Sequence, residues 1–246
     1  MITTLSVIIP VYNASSTLQE LHRRIREVTG SIADEVHIIF VDDCSTDDSF
    51  QIISQLAESD SLITGITLDI NCGQQNALLC GLRHSQAEFA VTIDDDLQYP
   101  PEYIPELLHK INEGYDFVYG IPEIRSESSW RNMGTFMVKI LLQLICMKPK
   151  GIEVSSFRIM RKKLVDEVAL ETRSRIYLSA TSFLASENAA VINIKSEKGP
   201  QTRYTLERLL KVFGNLALYY IPILKEFRNK GEQYRVGTKV GKGSEK

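Results

Sequence analysis

Hydrophobic residues in the first half of this chain fall into two alternating rhythms. Short runs rich in Val and Ile are almost continuously apolar: LSVIIPVYN (5–13), VHIIFVDD (36–43), residues 63–69, FAVTI (89–93) and DFVYGI (116–121). Runs of that length predict parallel strands covered on both faces. Between them lie segments with apolar residues at helical spacing, such as Leu18, Leu21, Ile25 and Val28. These predict helices over about 17–29, 47–59, 74–86 and 103–112. Ser15 or Ser16 can cap the first and Ser45 or Thr46 the second. Asn71-Cys72-Gly73 turns the chain into the third, and Gly114 closes the fourth. The small residues Ala77, Cys80 and Gly81 let the third helix approach its neighbours closely. Strand and helix in regular alternation predict an α/β fold, doubly wound around a mostly parallel central sheet flanked by helices.

After residue 121 the rhythm changes. Residues 122–132, with Pro122, Arg125, Arg131 and three serines, read as a mobile connection, either a lid or an ordinary surface loop. Residues 133–147 read as an apolar helix with one polar stripe, Lys139 and Gln143. VSSFRIMRKK (154–163) reads as a strand turning into a helix that carries Leu164, Val168 and Leu170. Residues 176–188 read as helix and 189–195 as a last strand. A basic turn (198–210) leads into a long apolar helix to about 221. The pattern predicts one catalytic domain over 1–225 and a basic, flexible tail over 226–246. No internal repeat or low-complexity segment is present.

Candidate chemistry concentrates where the fourth strand ends. FAVTI runs into Asp94, Asp95 and Asp96, then Gln98 and Pro100-Pro101. Ligands of open α/β sheets sit outside the carboxyl ends of the strands. Alternation along a strand would put Asp94 and Asp96 on one face and turn Asp95 away. Two carboxylates side by side repel, and a divalent cation removes that cost. Mg²⁺ and Mn²⁺ favour oxygen ligands and phosphate oxygens. The stretch therefore reads as a cation site that meets a diphosphate, or as a solvated acidic turn ahead of a helix starting near Pro101 and Glu102. The second strand also ends in acids, Asp42 and Asp43, so these side chains should converge with Asp94 and Asp96 on one sheet edge.

Composition narrows the classes. Of 246 residues, 43% are hydrophobic and 24% charged, as in soluble globular proteins. A net charge of −3 argues against a dedicated nucleic-acid binder. The four cysteines, Cys44, Cys72, Cys80 and Cys146, show no paired metal spacing and read as reduced cytosolic thiols. No secretory leader and no uninterrupted spanning stretch is evident.

Five motifs in order, IPVYN, VDDCSTD, NCGQQNALLCGL, DDDLQYPPE and RYTLERLL, resemble family-2 glycosyltransferases of the GT-A fold. Within that family they are most similar to polyprenyl-phosphate glycosyltransferases of the dolichol-phosphate mannose synthase type, over about residues 5–222. The resemblance implies an inverting, metal-dependent transferase using a nucleotide-diphosphate sugar, Mg²⁺ or Mn²⁺, and a lipid-phosphate acceptor. It implies that Pro10, Tyr12, Asn13, Asp42 and Asp43 line the nucleotide pocket, with Asp43 on base or ribose. Asp94 and Asp96 would be the acids of the Asp-X-Asp motif, with Asp95 between them and Gln98 completing the metal shell. Arg125 or Arg131 would contact diphosphate or acceptor phosphate, Phe157-Arg158 would lie near the acceptor, and Arg203-Tyr204 would precede the last helix. Asp96, Arg131 and Arg158 are the expected catalytic residues. Three departures stand out: Asp95 where a small residue is usual, Pro122 where an arginine is common, and no spanning helices after the catalytic domain.

The acceptor determines what else the site needs. A sugar hydroxyl requires a general base. A lipid phosphate, with a second pKa of about 6, is already an anion and needs cations instead. The second half has no Glu-Asp pair; Asp166-Glu167 sits on an amphipathic helix, leaving Glu187 as the one nearby base. Arg125, Arg131, Arg158, Lys198 and Arg203 fit a phosphate anchor or serve as ordinary surface cations. The helix over 206–224 can lie at a membrane surface, pack in the core, or form a subunit interface in a homo-oligomer. The basic tail would favour anionic lipid. A saccharide-acceptor enzyme and a non-catalytic nucleotide-sugar subunit serving a membrane partner protein are the rival functions. The expected location is cytoplasmic, peripheral to a membrane.

Overall fold

A computed structural model describes residues 3–123, 149, 151–173, 176–195 and 233–241. The strands are β1 (Thr4–Val11), β2 (Glu35–Asp42), β3 (Ile63–Leu68), β4 (Phe89–Thr92), β5 (Phe117–Pro122), β6 (Arg158–Arg161), β7 (Ala189–Ile194) and β8 (Val236–Gly241). The helices are α1 (Leu18–Thr29), α2 (Ser49–Ser59), α3 (Gln74–His84), α4 (Ile104–Ile111), α5 (Lys162–Ala169) and α6 (Leu178–Ala185). The eight strands of the described residues join one sheet in the order β7-β5-β6-β4-β1-β2-β3-β8. β1, β2, β3 and β4 run parallel, β5 pairs in parallel with β7, and β6 and β8 are antiparallel to their neighbours.

The continuous apolar runs are explained by two cores, one on each face. Along β1 the side chains alternate: Leu5, Val7, Ile9 and Val11 pack with α1, α2 and α4, while Ile8 packs with α3, α5 and α6. Pro10 sits inside β1, paired with Val41, although proline is rare in central strands. Ile8 turns its carbonyl to Ile93 on the β4 side, so the nitrogen two residues on faces the same way. The β1–β4 ladder stops at the Ile8–Thr92 pair, and the missing N–H falls beyond it. A closed ladder bond is therefore not lost.

Gly81 on α3 confirms the close approach read from its small neighbours. A Cβ there would lie 2.3 Å from Ile8 Cγ2 and 3.3 Å from Val41 Cγ2. Gly81→Ala gains about 1 kcal/mol of helix propensity. Overpacking against the buried β1 side chain costs about 1–3 kcal/mol. The expected net result is a lower urea midpoint at unchanged slope.

Two sequence expectations need correction. The fourth strand ends at Thr92, before the acids, and Asp94–Asp96 lie in a turn, so strand alternation does not set their directions. Residues 236–241, expected in a flexible tail, form β8 along the outer edge of β3, with Val240 opposite Gly65 and Val236 opposite Leu68. Asp69 N–H donates to the Arg235 carbonyl, and Arg83 donates to the Tyr234 hydroxyl at 2.9 Å. An exposed strand edge gains from such cover, and the Gly- and Lys-rich composition of the segment hid that tendency. The expected helices over 133–147 and 206–224, and Cys146, lie outside the described residues.

Candidate active site

Because β1, β2, β3 and β4 are parallel and adjacent, the loops after them meet at one edge. Hydrogen bonds between loops fix that meeting. Tyr12 N–H donates to Asp95 Oδ2 at 3.0 Å, and Thr17 Oγ1 donates to the Asp95 carbonyl at 2.6 Å. Asn13 N–H donates to Ser45 Oγ at 2.9 Å, and Thr46 N–H returns a bond to Asn13 Oδ1 at 2.8 Å. The first loop is thus tied both to the acidic turn and to the loop after β2. Among the described residues three non-glycine residues adopt left-handed backbone, Asn13 (φ 53°), Cys44 (φ 61°) and Leu97 (φ 60°), and all three lie in these loops. Such strain tends to cluster where a site over-determines the backbone.

The sequence places Asp42, Asp43, Asp94 and Asp96 at this edge and turns Asp95 away; the structure brings their loops together, with Asp95 tied to Tyr12 at the same edge. Their individual partners differ from the expected ones. Asp43 is 3% exposed, and its two oxygens accept N–H bonds from Cys72 at 2.7 Å and Gly73 at 2.8 Å. Its carboxyl therefore anchors the β3–α3 loop; burial raises its pKa, against those two bonds. Asp42 Oδ2 accepts from Ser45 N–H and Thr67 Oγ1, while its buried Oδ1 has no partner among the described residues. Tyr12 is 51% exposed at the rim, an open aromatic face. Pro10, expected to line the pocket, is buried within β1.

In the acidic turn, Asp94 accepts from Gln74 Nε2 at 2.6 Å on one oxygen and from Ser156 Oγ at 2.5 Å on the other. Asp96 accepts from the backbone of Gln98 at 3.0 Å and from its side-chain amide at 2.6 Å. Burial, with the charge of Asp96, pushes the Asp94 carboxyl up to about 6 against its hydrogen bonds. Burial, joined by Asp94 and Asp96, pushes Asp95 up to about 7. Crowded, desolvated carboxylates of this kind are stabilised by a cation. The oxygen-only donors Asp94, Asp96 and Gln98 suit Mg²⁺ or Mn²⁺. Among the described residues no three His, Cys, Asp or Glu side chains gather around one point, so an ion here would draw further ligands from elsewhere.

Arg158, expected to touch phosphate, takes a different position. It lies on β6 opposite Thr92, is 2% exposed, and donates to Ser179 Oγ at 3.0 Å. Its guanidinium stacks 5.2 Å over the Tyr119 ring, and its Nε has no partner among the described residues. From there, beneath the surface, its charge helps to hold down the Asp94 pKa. Glu187 is corrected by topology. β7 runs parallel to β5, and both β4 and β5 pair antiparallel with β6, so the start of β7 lies at the opposite edge from the acids. Glu187 precedes that start and cannot serve as a base here. Asp166 and Glu167 are exposed on α5, as expected. Arg125, Arg131, Lys198, Arg203 and Tyr204 lie outside the described residues. The described cysteines are free, and burial pushes Cys80 up to about 11. Gln74, Ser156 and Thr17 were not singled out from sequence; only Gln74 falls in a motif noted there.

Comparison with known proteins bears on the family and the fold. Residues 6–169 match the model of "Glycosyl transferase family 2". The undecaprenyl-phosphate 4-deoxy-4-formamido-L-arabinose transferase of Klebsiella pneumoniae (strain 342) is 32% identical over 215 residues, 86% of this chain and 65% of that protein. Its counterpart from Enterobacter sp. (strain 638) is 31% identical over 214 residues with the same coverage. The chain thus spans about 65% of the length of these curated relatives. Among solved structures, glucosyl-3-phosphoglycerate synthase from Mycobacterium tuberculosis, in complex with Mn²⁺, UDP-glucose and phosphoglyceric acid, matches with TM-score 0.65 at 19% identity, covering 87% of this chain and 79% of that one. S. aureus TarS 1-349 in complex with UDP-GlcNAc matches with TM-score 0.59 at 17% identity, covering 92% and 71%. The GT-A fold expected from the motifs is the fold these structures share, and the chain belongs to glycosyl transferase family 2.

Proposed function

We propose that this chain moves a sugar from a nucleotide diphosphate to a polyprenyl phosphate, with inversion at the transferred carbon. The observation that carries the proposal is the acidic edge itself. Three loops tied to one another hold Asp94 and Asp95 in a state that favours a cation-borne diphosphate. Asp94, Asp96 and Gln98 would hold the cation. When bound, it would neutralise the charge that develops on the departing diphosphate. The exposed ring of Tyr12 offers a stacking surface for the base, and Asp95 sets that residue's backbone. Asp43 supports the nucleotide pocket through the Cys72-Gly73 turn, and Arg158 supports Asp94 from behind.

The acceptor reading starts from the base that the site loses. Glu187, the carboxylate weighed as a base from the sequence, lies on the far side. An acceptor that is already anionic needs none. The names of the Klebsiella and Enterobacter relatives, transferases to undecaprenyl phosphate, support the same acceptor class. Arg125 and Arg131 follow β5, whose end lies at the acidic edge, and are proposed as the phosphate contacts, with Arg203 and Tyr204. Among the described residues no helix is long and apolar enough to cross a membrane. A peripheral position on a membrane surface would bring such a chain to its lipid. The catalytic unit proposed over 1–225 then takes in β8 as well.

The test is a transfer assay with Mn²⁺ and UDP-, GDP- or dTDP-sugars, offered either a polyprenyl phosphate or oligosaccharides. The expected result is sugar on the lipid phosphate alone. Transfer to oligosaccharide, with none to lipid, would overturn the acceptor assignment.

A further inference from the structure

Both oxygens of Asp94 are taken by uncharged donors, and the two donors are held very differently. Ser156 is built in: its carbonyl accepts from Thr92 Oγ1 at 2.5 Å, and the preceding Ser155 hydroxyl bridges the carbonyls of Gly120 and Phe157, both at 2.8 Å. Gln74 is the first residue of α3 and is exposed. Its Nε2 reaches Asp94 Oδ1, and a carboxylate, having only acceptors, fixes the amide with its nitrogen inward. Its neighbour Gln75 is committed elsewhere, accepting from Leu178 N–H at 2.8 Å at the start of α6. A hydrogen bond at the surface is easily exchanged for water, whereas a part-buried carboxylate that loses its donor is left unpaired.

We infer that Ser156 is a positioning residue that fixes Asp94 for the donor's cation, and that Gln74 is an exchangeable stand-in occupying the oxygen the cation takes. The inference rests on the cation-and-diphosphate reading of this site. On arrival of the cation, the Gln74 amide turns out to solvent at the helix start, while the Ser156 bond stays. The two side chains therefore act on cation affinity with opposite signs. A merely structural role for both would shift it in one direction or not at all.

The experiment titrates Mn²⁺ into the full chain with a fixed excess of UDP, GDP or dTDP, following free Mn²⁺ by electron paramagnetic resonance. Ser156→Ala is expected to weaken Mn²⁺ binding about ten-fold, the scale of other residues that orient a metal ligand. Ser156→Thr keeps the hydroxyl and should restore the wild-type affinity, which guards against a folding defect in the alanine variant. Gln74→Ala is expected to tighten binding about three-fold by removing a competing hydrogen bond. Same-sign changes in the two alanine variants, or none in either, would overturn this inference alone. A wild-type chain that takes up no Mn²⁺ with any of the three nucleotides would overturn the cation reading, and this inference with it.

Discussion

Asp96→Ala is expected to lower sugar transfer about a thousand-fold or more while leaving the fold intact. The size follows from what a cation supplies to a departing diphosphate, several kcal/mol of charge stabilisation. The second half of the expectation follows from the contacts. Among the described residues the Asp96 carboxylate accepts hydrogen bonds only from Gln98, two residues on, and ties no distant element. Removing it loosens one turn at the sheet edge and leaves both cores untouched. Thermal melting should therefore change by a few degrees at most, measured beside the rate. Wild-type activity in the variant, or in wild-type enzyme with excess chelator, would remove the cation from the mechanism.

The second large effect concerns Asp95 and is an effect on stability. Its carboxyl is raised from 3.8 to about 7, first by burial and then by Asp94 and Asp96, while the Tyr12 N–H pulls the other way. The folded chain therefore holds this proton more tightly than the unfolded chain. Stability from this group falls as pH rises from about 4, and the loss is complete above about 7. Asp95→Asn removes the charge and keeps an oxygen for the Tyr12 N–H. At pH 8 the variant should gain about 2 kcal/mol, or roughly 5 °C in Tm, taking half of what the displaced pKa would be worth in a rigid site. The gain should shrink toward nothing by about pH 4. A variant less stable than wild type at pH 8 would show that Asp95 stays charged and favourably paired. Saturating Mn²⁺ should narrow the difference, because a cation removes the same repulsion.

Much of this architecture can be read from the chain because burial on two faces leaves an unmistakable mark. β1 and β2 are apolar at nearly every position since their alternate side chains enter different cores. The meeting of the acids was legible for a related reason: parallel neighbours end together, so acids after each strand share an edge. What periodicity does not encode is depth and direction. Arg158 reads as a phosphate ligand by charge alone, yet a β6 position opposite Thr92 takes it under the surface. Glu187 looks like a base until the sense of β7 puts it on the wrong edge. The Gln74–Asp94 and Ser156–Asp94 bonds join residues far apart in sequence through single polar contacts. No local rule singles out such pairs from the many other Gln and Ser residues.

The strand beside β3 also constrains how the molecule can be made. Residues 63–68 leave the ribosome well before their outer partner, 236–241. A nascent chain therefore carries an open, pairing-competent edge until that partner emerges. Shortening the protein before Val236 would make that exposure permanent, and strand-to-strand aggregation would be mistaken for a catalytic defect.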